Sequence, residues 1–422
     1  MREASDFFKR ACLNGSVENY LKISISGSDK DIENDEIVSE SMKLNQSICD
    51  DSDIKFGGCI ASQFEIEITR DVDLTGREIT VFLYQKGIVP TYPTDPAETG
   101  NTDIVTYPTE PMASDSVKTY PGFTVIEGGY GDNPFYLFHG TIYSCKLAKN
   151  RIIRKIVAYD DFYLKGNIDC TNWYRSLYSS ANTITLGTLR GELLKKFKIR
   201  QATNNSYSEP VALPADDLPV HMIEGDVTVG ELFRQICEFN GCFGFMNGEG
   251  LLEYITVSGN YDSDNSEVYR YYIDIETEDF SKSSFDGFYI TGFEEGKGIY
   301  ELNSGSEDNL YFLEDNQIIT AGYKASEFGL IFNNVDKSSL GENFSIHYDP
   351  INLKSEYRSW VEIGDKIRVV VKWYNLNGEE CSKRFDSIVF SRSLSGIQAI
   401  TDEITANGEN IRYTEDYFDS LN

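Results

Sequence analysis

The sequence predicts a mainly β protein with a small α+β module set between strand-rich flanks. Three observations carry that reading. The chain holds 27 Tyr and 25 Phe against only 11 Pro, and aromatic side chains fit the pleated, half-buried surface of a sheet. Apolar and acidic residues alternate along FEIEIT, with Phe64, Ile66 and Ile68 on one face and Glu65 and Glu67 on the other, and Ile79, Val81 and Leu83 repeat the pattern in EITVFLY. From Leu164 to about residue 258 the apolar period lengthens from two to about 3.6, the repeat of a helix, before strands resume.

The stretch from Thr228 to Val257 states a complete supersecondary unit. Thr228 and Glu231 have the spacing of a capping box, in which each side chain satisfies an otherwise unpaired amide at a helix start. Val229, Leu232, Phe233 and Ile236 recur at i, i+3, i+4 and i+7 and predict one buried face of a short helix. Asn240-Gly241 stops it, because both residues tolerate a left-handed backbone. Cys242 to Met246 and Leu251 to Val257 then read as two strands around the turn Asn247-Gly248-Glu249-Gly250.

Before that unit, Ser5 to Cys12 predicts a short amphipathic helix and Tyr20 to Ser26 a strand. The polar stretch from Gly27 to Asp53 predicts loops around one extended segment near Glu36 to Leu44. Seven prolines, Pro90, Pro93, Pro96, Pro108, Pro111, Pro121 and Pro134, fall between Val89 and Phe135 and mark a long loop or protruding hairpin insertion at about residues 88–134. Phe135 to Leu147 and Arg151 to Tyr159 read as strands about a turn at Lys149-Asn150. Thr171 is placed to cap a helix through Tyr178, and Leu186, Leu189, Leu193, Leu194 and Phe197 make the buried face of another. A polar linker follows from Arg200 to Pro219.

After an acidic turn at Asp262 to Asn265, strands are expected at Val268 to Ile275, Phe288 to Phe293, Gly298 to Leu302 and Tyr311 to Leu313. Asn377-Gly378 is a strong hairpin signal between Ile367 to Tyr374 and Glu380 to Phe390. The chain from Thr401 onwards reads as polar, closing in an acidic tail from Glu415 to Asn422 with no appended enzymatic or adhesive domain. The 422 residues divide into 1–163, 164–258 and 259–422.

Sixty-eight acidic against 38 basic side chains give a formal net charge of −30, which repels phosphate backbones and argues against stable nucleic-acid or anionic-membrane binding. No apolar run approaches the roughly 20 residues of a membrane span, and the N-terminus lacks the pattern of a signal peptide. The sequence therefore predicts a chain made and folded in a cytoplasm.

No constellation predicts catalysis, a cofactor or a metal. The eight cysteines (Cys12, Cys49, Cys59, Cys145, Cys170, Cys237, Cys242 and Cys381) contain no Cys-x-x-Cys pair. Cys237 and Cys242 bracket a helix end without further ligands nearby, and buried reduced thiols are expected. Asp160-Asp161 reads as a turn, since neighbouring carboxylates on an extended chain point to opposite faces. His139, His221 and His347 stand apart from any nucleophile. Gly128 to Pro134 and Asn303 to Asn309 lack the Lys-Ser or Lys-Thr and helix of a phosphate cradle, and the acidic loops lack a calcium-loop pattern. Trp173, Trp360 and Trp373 are candidate sugar-stacking platforms, with core packing as the simpler reading.

The blocks SDIKFGGCIASQFEIEI, TGREITVFLY, RIIRKIVAYDDFYL, TLGTLRGELLKKF, TVGELFRQICEFNGCFGFMNGEGLLEY, NLYFLEDNQII, GDKIRVVV and FSRSLSGIQAITDEITANGE together resemble, in that order, the tail-hub proteins of bacteriophages and of phage-derived contractile injection particles. The resemblance implies two β-barrel-like hub domains, here 1–163 and 259–422, flanking an α+β domain at 164–258. It implies a homotrimeric symmetry adapter in a tail tip or baseplate, assembled in the bacterial host cytoplasm. Its partners would be a hexameric tail-tube or distal tail protein above, a trimeric spike or tip below, and a tape-measure protein in the lumen. The Pro-rich insertion and the missing C-terminal peptidoglycan-cleaving or fibre-attachment domain depart from the family. An acidic lumen past which DNA slides is a further expectation. The alternatives are a receptor- or carbohydrate-binding β protein and a cell-wall hydrolase.

Overall fold

The computed structural model describes residues 9, 13, 17–49, 54–91, 122–127, 134–148, 152–179, 184–202, 211–220, 222–223, 225–258, 266–277, 287–293, 296–301, 310–313, 316–320 and 337–406. Of the expected helix at Ser5 to Cys12 only Lys9 is among them, in helical conformation; the turns at Lys149-Asn150 and Asp262 to Asn265 and the acidic tail lie outside them.

The first flank supplies seven strands: β1 (Val17–Ile25), β2 (Lys43–Ser47), β3 (Gln63–Ile68), β4 (Glu78–Thr91), β5 (Gly122–Glu127), β6 (Phe135–Leu147) and β7 (Arg154–Tyr159). Alternation is realised as predicted, with Phe64, Ile66 and Ile68 fully buried and the glutamates between them half-buried. β4 runs on to Thr91 and pairs antiparallel with β5, Lys86 opposite Glu127 and Thr91 opposite Gly122. The base of the insertion is thus a hairpin, and residues 92–121 lie outside the described chain.

Helices follow. α1 (Asp161–Gly166) was not expected, since Asp160-Asp161 reads as a turn; Asp160 instead caps it by accepting from the Phe162 amide at 2.9 Å. α2 (Thr171–Ser179) begins at Thr171, which is not its cap. The Thr171 amide donates to Asp169 Oδ1 at 2.9 Å, while its hydroxyl accepts from the Val227 amide at 2.9 Å. The hydroxyl's tertiary partner displaces the local role that sequence spacing assigns it. α3 (Leu186–Phe197) buries Leu186, Leu189, Leu193 and Leu194 as predicted. Between α2 and α4 (Val229–Phe239) lie the short β8 (Ile184–Thr185) and β9 (Pro219–Val220), which pair with each other.

The capping box forms: Thr228 N–H donates to Glu231 Oε2 at 2.7 Å and Glu231 N–H donates to Thr228 Oγ1 at 3.3 Å. α4 is nonetheless buried beyond its one predicted face, at Gln235, Cys237, Glu238 and Phe239 as well. Residues from the far flank cover that second face. Tyr311 Oη donates to Glu238 Oε1 at 3.2 Å, and Asn316 Nδ2 donates to Glu238 Oε2 at 3.0 Å and to the Gln235 carbonyl at 2.8 Å. β10 (Phe243–Met246) and β11 (Leu252–Ile255) then form the expected hairpin, its turn fastened by Asn247 Oδ1, which accepts from the Glu249 and Leu251 amides at 3.0 Å each.

In the second flank the single strand expected over Val268 to Ile275 is two, β12 (Ser266–Tyr269) and β13 (Asp274–Thr277). Buried Tyr269 lies under the Arg358 guanidinium, 3.7 Å from its ring centre. The chain then breaks at residues 270–273 to join a different sheet. β14 (Gly287–Phe293), β15 (Gly296–Glu301) and β16 (Leu310–Leu313) make a three-stranded sheet in the order β15-β14-β16. Two short helices, α5 (Gln317–Thr320) and α6 (Lys337–Asn343), precede β17 (Ile351–Glu356), β18 (Lys366–Tyr374), β19 (Glu380–Ile388), β20 (Ser391–Ser395) and β21 (Thr401–Ala406). The polar reading of the chain from Thr401 is corrected at β21, where Asp402, Ile404 and Ala406 alternate inward and are buried. Asp402 misleads because its charge is neutralised inside by Arg392.

The principal sheet has eleven strands in the order β1-β4-β6-β7-β3-β2-β20-β21-β17-β13, with β5 added beside β4. β2 joins the flanks: Leu44 lies opposite Phe64 of β3 on one side and Leu394 of β20 on the other. The sheet curls so far that its first strand meets the β20–β21 connection. There Asn19 Nδ2 donates to the Gln398 carbonyl at 3.1 Å and Gln398 Nε2 donates to the Asn19 carbonyl at 2.9 Å. An aromatic cluster centred on Phe56 knits the first flank to the α+β module and the second flank, with Phe56 4.6 Å from Phe344, 5.3 Å from Tyr311 and 5.4 Å from Phe243, centre to centre.

Candidate functional site

The residue types that carry chemistry occupy structural posts. Asp160 is buried and accepts from two amides, Phe162 N–H and Ser62 N–H at 2.7 Å, so it fastens α1 to the start of β3. Burial pushes its carboxyl up to about 7 against the opposing pull of those hydrogen bonds. Asp161 turns away to Lys165, at 2.5 Å. The two carboxylates therefore share no substrate-sized space. His139 lies 2.9 Å from Thr80 Oγ1, and burial lowers its pKa. His347 is exposed on a separate segment, and His221 lies outside the described residues, as do 128–133 and 302–309.

Cys237 and Cys242 are fully buried, and Cys59 joins them from far back in the chain. The Cys242 thiol and burial push Cys237 well above the ordinary thiol range, so it packs as a protonated side chain. Among the described residues no group of three or more His, Cys, Asp or Glu is placed to hold a metal ion. Glu238, not singled out from sequence, is a buried carboxylate held up in pKa by burial; its tyrosine and asparagine donors make it a tie between α4 and the β16 region. Of the tryptophans, Trp360 is fully buried, and Trp173 is half-buried with its ring edge-on to Phe197 at 5.3 Å. Trp373 alone of the three is exposed.

Trp373 belongs to a projecting surface. β18 and β19 form an antiparallel hairpin whose turn has Gly378 at φ +80, the left-handed backbone that its Asn-Gly sequence predicts. Asn375 Oδ1 accepts from the Asn377 amide at 2.9 Å and the Glu379 amide at 3.0 Å, which rigidifies the tip. That tip exposes Trp373, Tyr374 and Leu376, at 46%, 72% and 107% of full accessibility. Lys372 pairs with Glu380 at 2.5 Å and Arg368 with Asp386 at 2.6 Å. Lys383 and Arg384, both exposed, have no carboxylate partner among the described residues. Here, in a chain of net charge −30, is a local excess of positive charge.

A second surface lies at the end of the principal sheet. Among the described residues β13 pairs on one side only, with β17. It exposes Asp274, Glu276 and Thr277, and the chain entering it exposes Tyr271 and Ile273. A cavity of about 320 Å³ opens beside that entry, lined in part by Tyr271, Tyr272, Ile273, Tyr357 and Trp360. The opposite end of the sheet is closed to such pairing, because β1 is covered at Ile23 by two backbone bonds with Ile32 and at Leu21 by Asn34. An unpaired, exposed strand edge is an adhesive feature that folded proteins cover or use.

No family model and no curated protein matches the chain. Solved structures do. The chain is similar to the 43 kDa tail protein of prophage MuSo2 from Shewanella oneidensis, at 11% identity and a TM-score of 0.43 over 92% of this chain and 97% of that one. It is similar to a tail protein from Neisseria meningitidis MC58, at 10% identity and 0.43 over 94% and 98%. A third is prophage tail protein gp18 from Listeria monocytogenes EGD-e, at 10% and 0.42 over 95% and 97%.

Proposed function

We propose that this chain is a structural hub of a bacteriophage tail tip or baseplate, or of a phage-derived contractile particle, acting as a homotrimer. In that role three copies form a ring that joins a hexameric tail tube or distal tail protein above to a trimeric spike or tip below. The lumen would pass the tape-measure protein. Its site of action is the virion tail, after assembly in the bacterial cytoplasm. The role is mechanical, without a catalytic centre, cofactor or metal.

One observation carries the reading. The sequence blocks that resemble tail hubs fall on successive elements of one architecture, and the first and last of them, ending in β3 and running through β20 and β21, come together on either side of β2. A resemblance scattered over unrelated pieces of structure would have no such coherence. The α+β module between the flanks, with its capping-box helix and hairpin, supplies the same order of parts.

Light scattering over a concentration series tests the proposal. A trimer, or a trimer formed on adding tube and spike proteins, is the expected result; a strict monomer under all those conditions overturns it. The exposed Trp373, Tyr374 and Leu376 favour a second reading, a receptor- or carbohydrate-binding protein of the tail tip. A glycan-array signal from a chain that never trimerises supports that reading instead.

A further inference from the structure

We propose that the ring is closed by one heterologous joint, in which the basic outer edge of β19 in one copy lies against the acidic edge of β13 in the next. The proposal rests on the trimeric reading above and names the surfaces that would build it.

The backbone of β19 has bonding capacity to spare. Asp386 exchanges hydrogen bonds with Asp349, which lies outside the β18–β19 pair: Asp349 N–H donates to the Asp386 carbonyl at 2.7 Å, and Asp386 N–H donates to Asp349 Oδ2 at 2.8 Å. The polar groups of an edge strand turn outward at every second residue. Arg384 and Ser382 therefore present their N–H and C=O on that same open side, and no partner meets them among the described residues. Among the described residues β13, at the far end of the principal sheet, likewise pairs on one side only.

Charge then selects the pairing. The β19 edge carries Lys383 and Arg384, both exposed, whereas β13 carries exposed Asp274 and Glu276. Neither acid has a cationic partner among the described residues: Asp274 Oδ1 accepts from the Ile275 amide at 2.9 Å, and Glu276 Oε2 from Asn352 at 3.4 Å. β19 against β19 or β13 against β13 would bring like charges together, a cost of several kcal/mol. β19 against β13 brings opposite charges together and pairs backbone groups as well. The same two elements hold exposed apolar side chains, Trp373, Tyr374 and Leu376 beside β19 and Tyr271 and Ile273 before β13, so the contact has material for an apolar centre. A joint between two different patches is heterologous and closes into a ring when its rotation allows.

The test uses the full chain. Carbodiimide coupling of mixed ordinary and ¹⁵N-labelled protein, read by mass spectrometry, is expected to give cross-links from Lys383 of one copy to Asp274 or Glu276 of another. Lys383→Glu/Arg384→Glu is expected to raise the concentration at which trimers form by roughly tenfold or more. Adding Asp274→Lys/Glu276→Lys to the same chain swaps both signs and is expected to restore trimers, which shows that the first variant folds. A wild-type trimer indifferent to the first pair, or whose cross-links fall elsewhere, overturns this joint and leaves the hub reading standing. A chain that remains monomeric even with tube and spike proteins overturns both, and a vesicle, glycan or other protein competing for the β13 edge without trimers overturns the choice of a second copy.

Discussion

Arg392 of β20 and Asp402 of β21 form a buried ion pair, with Nε donating to Oδ1 at 3.2 Å and Nη2 to the other carboxylate oxygen. Arg392 also donates to the Val361 carbonyl, and its guanidinium stands 5.2 Å from the Tyr357 ring centre. Removing one partner of a buried pair strands the other charge in a poorly solvating interior. Asp402→Asn is therefore expected to cost about 3–5 kcal/mol in urea unfolding. Arg392→Met/Asp402→Leu is expected to recover most of that loss, and a cost below about 1 kcal/mol for the single variant would show the pair to be solvated.

The capping box makes a smaller, local prediction. Thr228→Ala deletes the hydroxyl that accepts from Glu231 N–H and is expected to lower stability by about 1 kcal/mol. Thr228→Ser should retain most of the wild-type value in the same unfolding assay.

Gly241 has φ +62, and a Cβ there would come 2.6 Å from Phe344 Cε2. Gly241→Ala adds backbone strain to a collision with a ring locked in the aromatic cluster. A loss of about 2 kcal/mol or more is expected, and near-UV circular dichroism should report the displaced aromatics.

Asp160 sets a pH dependence. Its folded carboxyl titrates at about 7 because of burial, whereas an unfolded aspartate titrates near ~3.9. Raising the pH therefore ionises the unfolded chain first. Stability from this group is fully present below about pH 4, falls as pH rises towards about 7, and levels off beyond, a change of about 4 kcal/mol. Asp160→Ser keeps a cap for α1 without the titration. The stability difference between wild type and variant should shift in the variant's favour across that window; a flat difference would place the Asp160 pKa in the ordinary range.

Local signals made the α4 unit and the β18–β19 hairpin legible from sequence, because capping, helical period and Asn-Gly turn chemistry act within a few residues. The alternation of β3 and β4 was legible for the same reason. What sequence hid was long-range. Asp402 looks like surface until Arg392 is brought beside it, Glu238 until Tyr311 and Asn316 cover α4, and Cys59 until the fold carries it to Cys237. Thr171 failed as a cap because Val227 claims its hydroxyl. The candidate joining surfaces were equally hidden, since an edge exists only once the strand order is known.

The pairing of β2 with β20 also has a consequence for synthesis. A ribosome delivers residues 43–47 well before residues 391–395, at about 5–20 residues per second. In the interval β2 can hold β3 on one side while its other side waits for a partner not yet made. The sheet is completed only after residues 391–395 have emerged, so a nascent chain stalled before Ser391 displays an open strand to its neighbours on the polysome.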